Sequence, residues 1–140
     1  MFKILDWMRR PIANIYHYEN FFEQGNEFLN ISLAARAKEN ISKVEVFING
    51  SLVFNKTVNM NVYLENITIN VTSFSFGVLN VTLKVTDLVG ESYSSTIFVV
   101  PTLKVEIENP QSYDIIWGIT NILINVVAIR ISNISLNITI

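Results

Sequence analysis

Asparagine followed two residues later by serine or threonine is the most frequent chemical motif of this chain. This Asn-x-Ser/Thr sequon is the acceptor for N-linked glycans. With 17 Asn and 20 Ser plus Thr in 140 residues, chance placement gives about 2.4 sequons. Nine are present, and these candidate N-glycosylation sites are Asn30, Asn40, Asn49, Asn55, Asn66, Asn70, Asn80, Asn133 and Asn137.

A β-strand produces the same spacing without any sugar, because alternate residues of a strand share one face. A polar strand face accounts for the sequons inside alternating stretches such as NITINVT, which begin at Asn66, Asn70, Asn80 and Asn137. The sequons that we expect at turns or strand ends, where a glycosyltransferase reaches the amide, begin at Asn40, Asn49 and Asn55. Two interpretations of the sequons therefore stay open: they are glycan acceptors, or they are the solvent-exposed polar faces of strands.

Residue types that support catalysis are sparse. His17 is the only histidine. A general base needs a nucleophile or an orienting carboxylate beside it, so we expect His17 to be an edge or packing residue. The chain has no cysteine, which excludes a thiol nucleophile, a disulfide framework and a thiolate zinc site. No Gly-rich phosphate loop is present. We therefore expect a protein that is not an enzyme and has no catalytic or cofactor-binding residues and no cofactor.

Carboxylates offer the remaining ligands for a metal ion. The candidate oxygen donors for calcium are Asp87, Glu91, Glu106, Glu108 and Asp114. Their spacing matches no loop that wraps calcium, and an aspartate three residues before a glycine is typical of a turn. We therefore expect no metal site.

The partner classes follow from charge and aromatic content. A net charge of -2 with interspersed signs argues against a nucleic-acid partner. The uncharged apolar run over residues 115–129 is too short for a membrane span, which needs roughly 20 residues. The aromatic residues that could stack on sugar are Trp7, Trp117, Tyr16, Tyr18, Phe21 and Phe22. Such a group is more typical of core and interdomain packing.

Alternating stretches predict seven strands between residues 11 and 101, near 12–18, 29–36, 43–48, 52–58, 62–71, 79–85 and 92–100. Asn49-Gly50 is a strong hairpin signal, since both residues tolerate the positive φ of a type I′ turn. This pattern is typical of an antiparallel β-sandwich. We predict its core to include Ile31, Leu33, Val44, Val46, Ile69, Val81, Leu83 and Val85.

Three segments also resemble a known family. Residues 25–33, 41–50 and 85–91 are similar to the B strand, the C strand and the F–G hairpin of prokaryotic, archaeal or bacterial, immunoglobulin-like modules. The resemblance implies an all-β, immunoglobulin-like sandwich that serves as a repeat domain of secreted or cell-surface proteins. The chain departs from antibody domains because it lacks the Cys pair and has no Trp in its strand C stretch.

An internal similarity at an offset of 93 residues indicates a tandem repeat. It aligns Ile31 with Ile124, Leu33 with Val126 and residues 40–42 with 133–135. We therefore expect an N-terminal segment over 1–10, an immunoglobulin-like sandwich over 11–101 and a partial second repeat over 102–140. The partial repeat would leave apolar strand faces uncovered, so we expect self-association through the C-terminal strands or pairing with other domains of the same or a longer chain.

Three functions fit this organisation. The first is a non-catalytic structural or spacer module of a secreted or cell-surface protein. The second is a glycan-binding or protein-binding adhesion module, and the third is a domain appended to a secreted protease or glycosidase. The N-terminal residues 1–11 lack the apolar core of a secretory signal. If the location is extracellular or at the cell surface, we therefore expect the sequence to be a fragment or a truncated reading frame.

Overall fold

The computed structural model of the chain describes residues 10–109 and 123–137. Seven strands form in these ranges, every ladder is antiparallel, and no helix is present in them. The predicted all-β fold is therefore confirmed. The strands are β1 (Ile12–Glu23), β2 (Asn26–Ile48), β3 (Ser51–Asn70), β4 (Leu79–Asp87), β5 (Ser92–Val99), β6 (Thr102–Asn109) and β7 (Leu123–Ile129).

The first five strands form one sheet that is organised around the long strand β2. The first half of β2 lies between β1 and the second half of β3. The second half of β2 lies between the first half of β3 and β4, and β5 follows β4. Because β1 also contacts β4 and β5, the sheet curls until its two halves face each other. The result is a sandwich-like unit built from a single curled sheet.

The core of this unit follows the alternation of the sequence. All eight predicted core residues are buried, among them Ile31, Val46 and Leu83. Their neighbours Asn30, Lys43 and Lys84 keep at least part of their surface in water. A register slip of one residue would exchange these two sets, so burial of the apolar set fixes the pairing.

Five strands, and not the predicted seven, form between residues 11 and 101, because the sheet bends at bulges where the sequence predicted breaks. The ladder between β2 and β3 shifts register between Arg36 and Ile41 and again between Ile41 and Lys43. Buried positions in β2 are odd-numbered up to Ile41 and even-numbered from Val44 onward. A bulge adds a residue to one strand and rotates the residues after it to the other face. One strand can therefore supply both halves of the core.

The predicted Asn49-Gly50 turn is confirmed. Both residues have positive φ, 49° and 84°, as a type I′ turn requires. The backbone N–H of Asn49 donates to the carbonyl of Asn80, and the Asn49 side-chain oxygen accepts from the N–H of Asn80, both at 2.8 Å. The turn thus joins the β2–β3 hairpin to the start of β4.

The chain divides into two compact units, and the second contains β6, β7 and the short segment Ser75–Gly77. β6 and β7 form a two-stranded sheet. Arg130 has a φ of 63° directly after β7, and its side-chain Nε donates to the carbonyl of Gly77 at 3.0 Å. Within the ranges that the structure describes, no helix is long and apolar enough to span a membrane.

Candidate functional site

Two sequons lie directly opposite each other on the outer face of the β2–β3 ladder. Asn30 pairs with Thr68, and Ser32 pairs with Asn66, so each asparagine faces the hydroxyl residue of the other sequon. The Thr68 hydroxyl donates to the Asn30 side-chain oxygen. Polar cross-strand pairs of this kind stabilise an exposed sheet face. The spacing of these two sequons therefore has a structural cause in the ladder itself.

The sequons at Asn70 and Asn80 also take part in local hydrogen bonds. The Asn70 side-chain oxygen accepts from the Thr72 N–H at 3.0 Å. The Thr72 hydroxyl in turn accepts from the Glu27 N–H at 2.9 Å, which holds the end of β3 beside the start of β2. The Thr82 hydroxyl lies 3.4 Å from the Asn80 side-chain oxygen and 2.9 Å from the Thr96 hydroxyl. Both asparagines are exposed.

Among the sequons predicted at turns or strand ends, only the one at Asn49 lies in a turn. The structure places Asn40 inside β2 and Asn55 inside β3, so that prediction is wrong for both. For Asn40 the misplacement has the same origin as the strand count, since β2 passes through its bulge without ending. The Asn40 amide donates to the Asn59 side-chain oxygen at 2.8 Å, while Asn55 is exposed.

The last two sequons follow β7. Asn133 and Asn137 are exposed and lie in an irregular segment, so the strand face predicted around Asn137 is absent over the described residues there. Thr139, which completes the last sequon, lies outside the described residues. Of the nine asparagines, only Asn30 and Asn40 are partly buried, and the other seven are exposed.

The carboxylate of Asp87 organises the β4–β5 turn. Its Oδ1 accepts from the N–H groups of Val89 at 3.0 Å and Glu91 at 2.9 Å, and the residue is buried. The Ser42 hydroxyl lies 3.0 Å from the carbonyl of Asp87 and ties the turn to β2. This arrangement is the turn chemistry that the sequence predicts, with two backbone donors satisfied by one side chain.

The other acidic residues do not join Asp87. The Glu91 side chain is exposed, and Glu106 forms an exposed ion pair with Lys104 at 2.9 Å. Glu108 is in β6, and Asp114 lies outside the described residues. Within the described part of the chain, no three His, Cys, Asp or Glu side chains come together as a metal site would need.

His17 and the aromatic residues lie on or beside the edge strand β1. His17 is exposed and pairs with Ser32, next to a bulge in the β1–β2 ladder. Tyr16, Tyr18 and Phe22 are also exposed, so the predicted packing in the core is wrong for these three rings, while the predicted interdomain packing stays a prediction. Tyr16 is out of phase with the buried Ala13 and Ile15, while Tyr18 and Phe22 follow the bulge and lie opposite Ile31 and Glu27 but stay exposed on this edge strand.

Of the remaining aromatic residues, Phe21 stacks on Phe28 with ring centres 5.7 Å apart. Trp7 and Trp117 lie outside the described residues.

A cluster of Lys56, Tyr63 and Glu65 was not predicted from the sequence. Tyr63 is buried, and its hydroxyl donates to the Glu65 carboxylate. Lys56 lies 3.1 Å from the same carboxylate and about 6.0 Å from the centre of the Tyr63 ring. The Tyr63 hydrogen bond and the Lys56 charge lower the pKa of Glu65. Burial, then the bond to Glu65, raises the pKa of Tyr63.

The sequence signal for this cluster was a carboxylate in phase with the core. Glu65 occupies the same face of β3 as the buried Tyr63 and Ile67. Glu27 is similarly in phase with Leu29 and is buried, and its Oε2 accepts from the Asn20 amide at 2.9 Å. Buried polar groups require partners. A polar residue that is in phase with the apolar core positions of a strand therefore predicts a structural hydrogen bond.

A shallow apolar cavity of about 290 Å³ lies where β1, β2 and β3 meet. It exists because Ala34, with its small side chain, is flanked by larger residues on both neighbouring strands. Leu64 and Val62 are exposed beside it, and the Arg36 side chain is exposed at its rim. The lining residues are Ile12, Ala13, Asn14, Ala34, Ala35, Arg36, Val62 and Leu64.

Comparison of the chain with protein-family models, with curated proteins and with solved structures finds no match. The chemistry of the described residues is therefore judged from their contacts. The strongest polar contacts connect strand ends and turns to distant strands. Exposed Asn and Thr side chains and the apolar cavity are among the surface features.

Proposed function

We propose that this chain is a non-catalytic structural module, a β-sandwich spacer of a secreted or cell-surface protein. The observation that carries the proposal is that polar side chains hold turns and strand ends in place. Asp87 holds the β4–β5 turn, Asn49 joins one hairpin to β4, and Thr72 joins β3 to β2. The Asn49 and Thr72 contacts fasten segments that are distant in sequence, and the Asp87 contacts close a turn, so together they stabilise a rigid unit.

The strand order supports an immunoglobulin-like identity for the first unit. In immunoglobulin sandwiches one sheet contains strands C, F and G, and the other contains A, B and E. The second half of β2, with β4 and β5, lies in the order C, F, G. The first half of β2 lies between β1 and the second half of β3, in the order A, B, E. The curled single sheet is not specific to that family, so the identity remains part of the proposal.

The nine sequons support an extracellular or cell-surface location with N-linked glycans. Asn55 and Asn66 are the acceptors we expect first, because both are exposed side chains on the edge strand β3. Mass spectrometry of glycopeptides from the native host tests this, with Asn55→Gln and Asn66→Gln as matched variants. Unmodified peptides at all nine sites would contradict the glycoprotein assignment.

The spacer role is tested by ligand and substrate screens on the 140-residue chain. We expect no turnover of peptide, ester or glycoside substrates. We also expect that no glycan, when added in increasing concentration, raises the unfolding temperature of the chain in a saturable way. Turnover that is lost in His17→Ala would contradict the non-catalytic assignment. A saturable shift that is lost in Arg36→Ala, and kept in the control Lys38→Ala, would favour the binding-module alternative at the apolar cavity.

A further inference from the structure

Strand β6 presents an open, exposed edge in the second unit. It pairs with β7 on one side, and no described strand pairs with its other side. Thr102, Leu103, Lys104, Val105 and Glu106 are all exposed, so both faces of the strand are accessible as well. An uncovered strand edge is a template for pairing with another strand.

Two edge strands of the first unit, β1 and β3, carry a feature that hinders such pairing, whereas the ladders of the edge strands β5 and β7 are as regular as that of β6. The ladder of β1 shifts register between Ile15 and His17, and the ladder of β3 shifts at three places. Bulges twist an edge away from a flat partner. Over the described residues, the β6 ladder shifts only between Ile107 and Asn109, so the segment 102–106 is regular.

The sequence of β6 is complementary to itself in one antiparallel register. Two copies related by a two-fold axis perpendicular to the sheet must pair residues of the same face, so the axis passes through a residue paired with its own copy. An axis at Lys104 places two lysines opposite each other, and an axis at Glu106 places two glutamates opposite each other. An axis at Val105 places each Lys104 opposite Glu106 of the second copy. Opposite charges across strands are favourable, and like charges are not.

We propose that two copies of this chain associate through antiparallel pairing of β6 with β6, with the two-fold axis at Val105. The two-stranded sheets then join into one four-stranded sheet, which satisfies the backbone groups of both edges. Lys104 and Glu106 lie 2.9 Å apart on the same face within one copy, so in the dimer the four charges alternate in sign. The apolar face also becomes continuous, since Leu103, Val105 and Val126 share one side of the sheet.

Charge exchange tests the register by sedimentation equilibrium of the full chain. Lys104→Glu and Glu106→Lys each place like charges opposite each other twice, so we expect each to raise the dimer Kd by at least about tenfold. An equimolar mixture of these two variants restores both opposite-charge pairs as a heterodimer. The double variant Lys104→Glu with Glu106→Lys restores them as a homodimer. Lys38→Glu, in the other unit, makes the same charge change and leaves the Kd unaltered.

A second measurement does not depend on charge. The chain has no cysteine, so a single introduced thiol reports one contact. Val105→Cys places two thiols opposite each other at the axis, and we expect it to oxidise to a covalent dimer. Thr102→Cys lies three residues from the axis, so we expect it to associate like the wild type but to form no covalent dimer. A wild-type chain that remains monomeric at its solubility limit, or mixed variants that fail to associate, would overturn the proposal.

Discussion

At the scale of the residue, the clearest consequence concerns Asp87. Its buried carboxylate accepts from the N–H groups of Val89 and Glu91, and Asp87→Ala leaves both donors without that acceptor. We expect Asp87→Ala to lower the free energy of unfolding by about 1 to 3 kcal/mol. Asp87→Asn keeps an oxygen in the same place and should lose less. Urea denaturation of the two variants measures the difference, and an alanine variant as stable as the wild type would contradict this role.

The Lys56, Tyr63 and Glu65 cluster makes stability depend on pH at both extremes. The pKa of Glu65 is lowered by the Tyr63 hydrogen bond and by Lys56, so its contribution is present above the unfolded pKa, about 4.3. That contribution is lost as the pH falls through the lower pKa of the folded state. The pKa of Tyr63 is raised, so its contribution is present below about 10 and is lost as the pH rises above that value.

Tyr63→Phe separates these effects. It removes the phenol and the hydrogen bond but keeps the Lys56–Glu65 ion pair, so we expect a weaker acid dependence and no contribution from this side chain above about pH 10. Urea unfolding at a series of pH values measures the free energy of unfolding in both the acid and the alkaline range. Tyr93→Phe, at an exposed tyrosine, is the matched control. Identical pH profiles for Tyr63→Phe and the wild type would rule out the assigned hydrogen bond.

At the scale of the element, the turn between β2 and β3 depends on glycine. Gly50 has a φ of 84°, and a Cβ added there meets no atom within 4 Å. We therefore expect Gly50→Ala to lower the free energy of unfolding by about 1 kcal/mol, through the backbone conformation alone. Thermal unfolding measures this loss, with Ser51→Ala as the control in the same hairpin. A variant that is destabilised no more than Ser51→Ala would mean that the turn relaxes to another type.

Alternation in the sequence predicted the faces of the strands well and their ends less well. Ile31 and Val46 were placed in the core correctly, because burial of an apolar face leaves one register. The continuity of β2 through residues 37–40 was not predicted, because a bulge and a break look alike in a polar stretch such as Lys38-Glu39-Asn40. The distinction depends on pairing with β3 and β4, which are distant in sequence.

The candidate sites show the same limit. The number of sequons and the turn role of Asp87 could be predicted from local sequence. The pairing of Asn30 with Thr68 could not, since it depends on the register between two strands 38 residues apart. The Lys56, Tyr63 and Glu65 cluster likewise requires β3 to bend so that residues on both sides of the bend meet.

At the scale of the whole molecule, the core belongs to one part of the chain. Among the residues that the structure describes, the buried apolar side chains of the core cluster come from positions between Ala13 and Val99. The second unit instead exposes Leu103, Val105 and Leu123 on a two-stranded sheet. A sheet of two strands is marginally stable by itself. Folding stability and association should therefore be separable along the chain.

Truncation after Pro101 tests this separation. We expect residues 1–101 to unfold in one cooperative transition, with a free energy of unfolding within about 1 kcal/mol of the first unit in the full chain, because every residue of the core cluster is retained. The truncated chain should also be monomeric, since β6 is absent. Circular dichroism during urea denaturation, together with sedimentation, measures both properties. A truncated chain that is unfolded in buffer would show that β6 and β7 contribute to the core of the first unit.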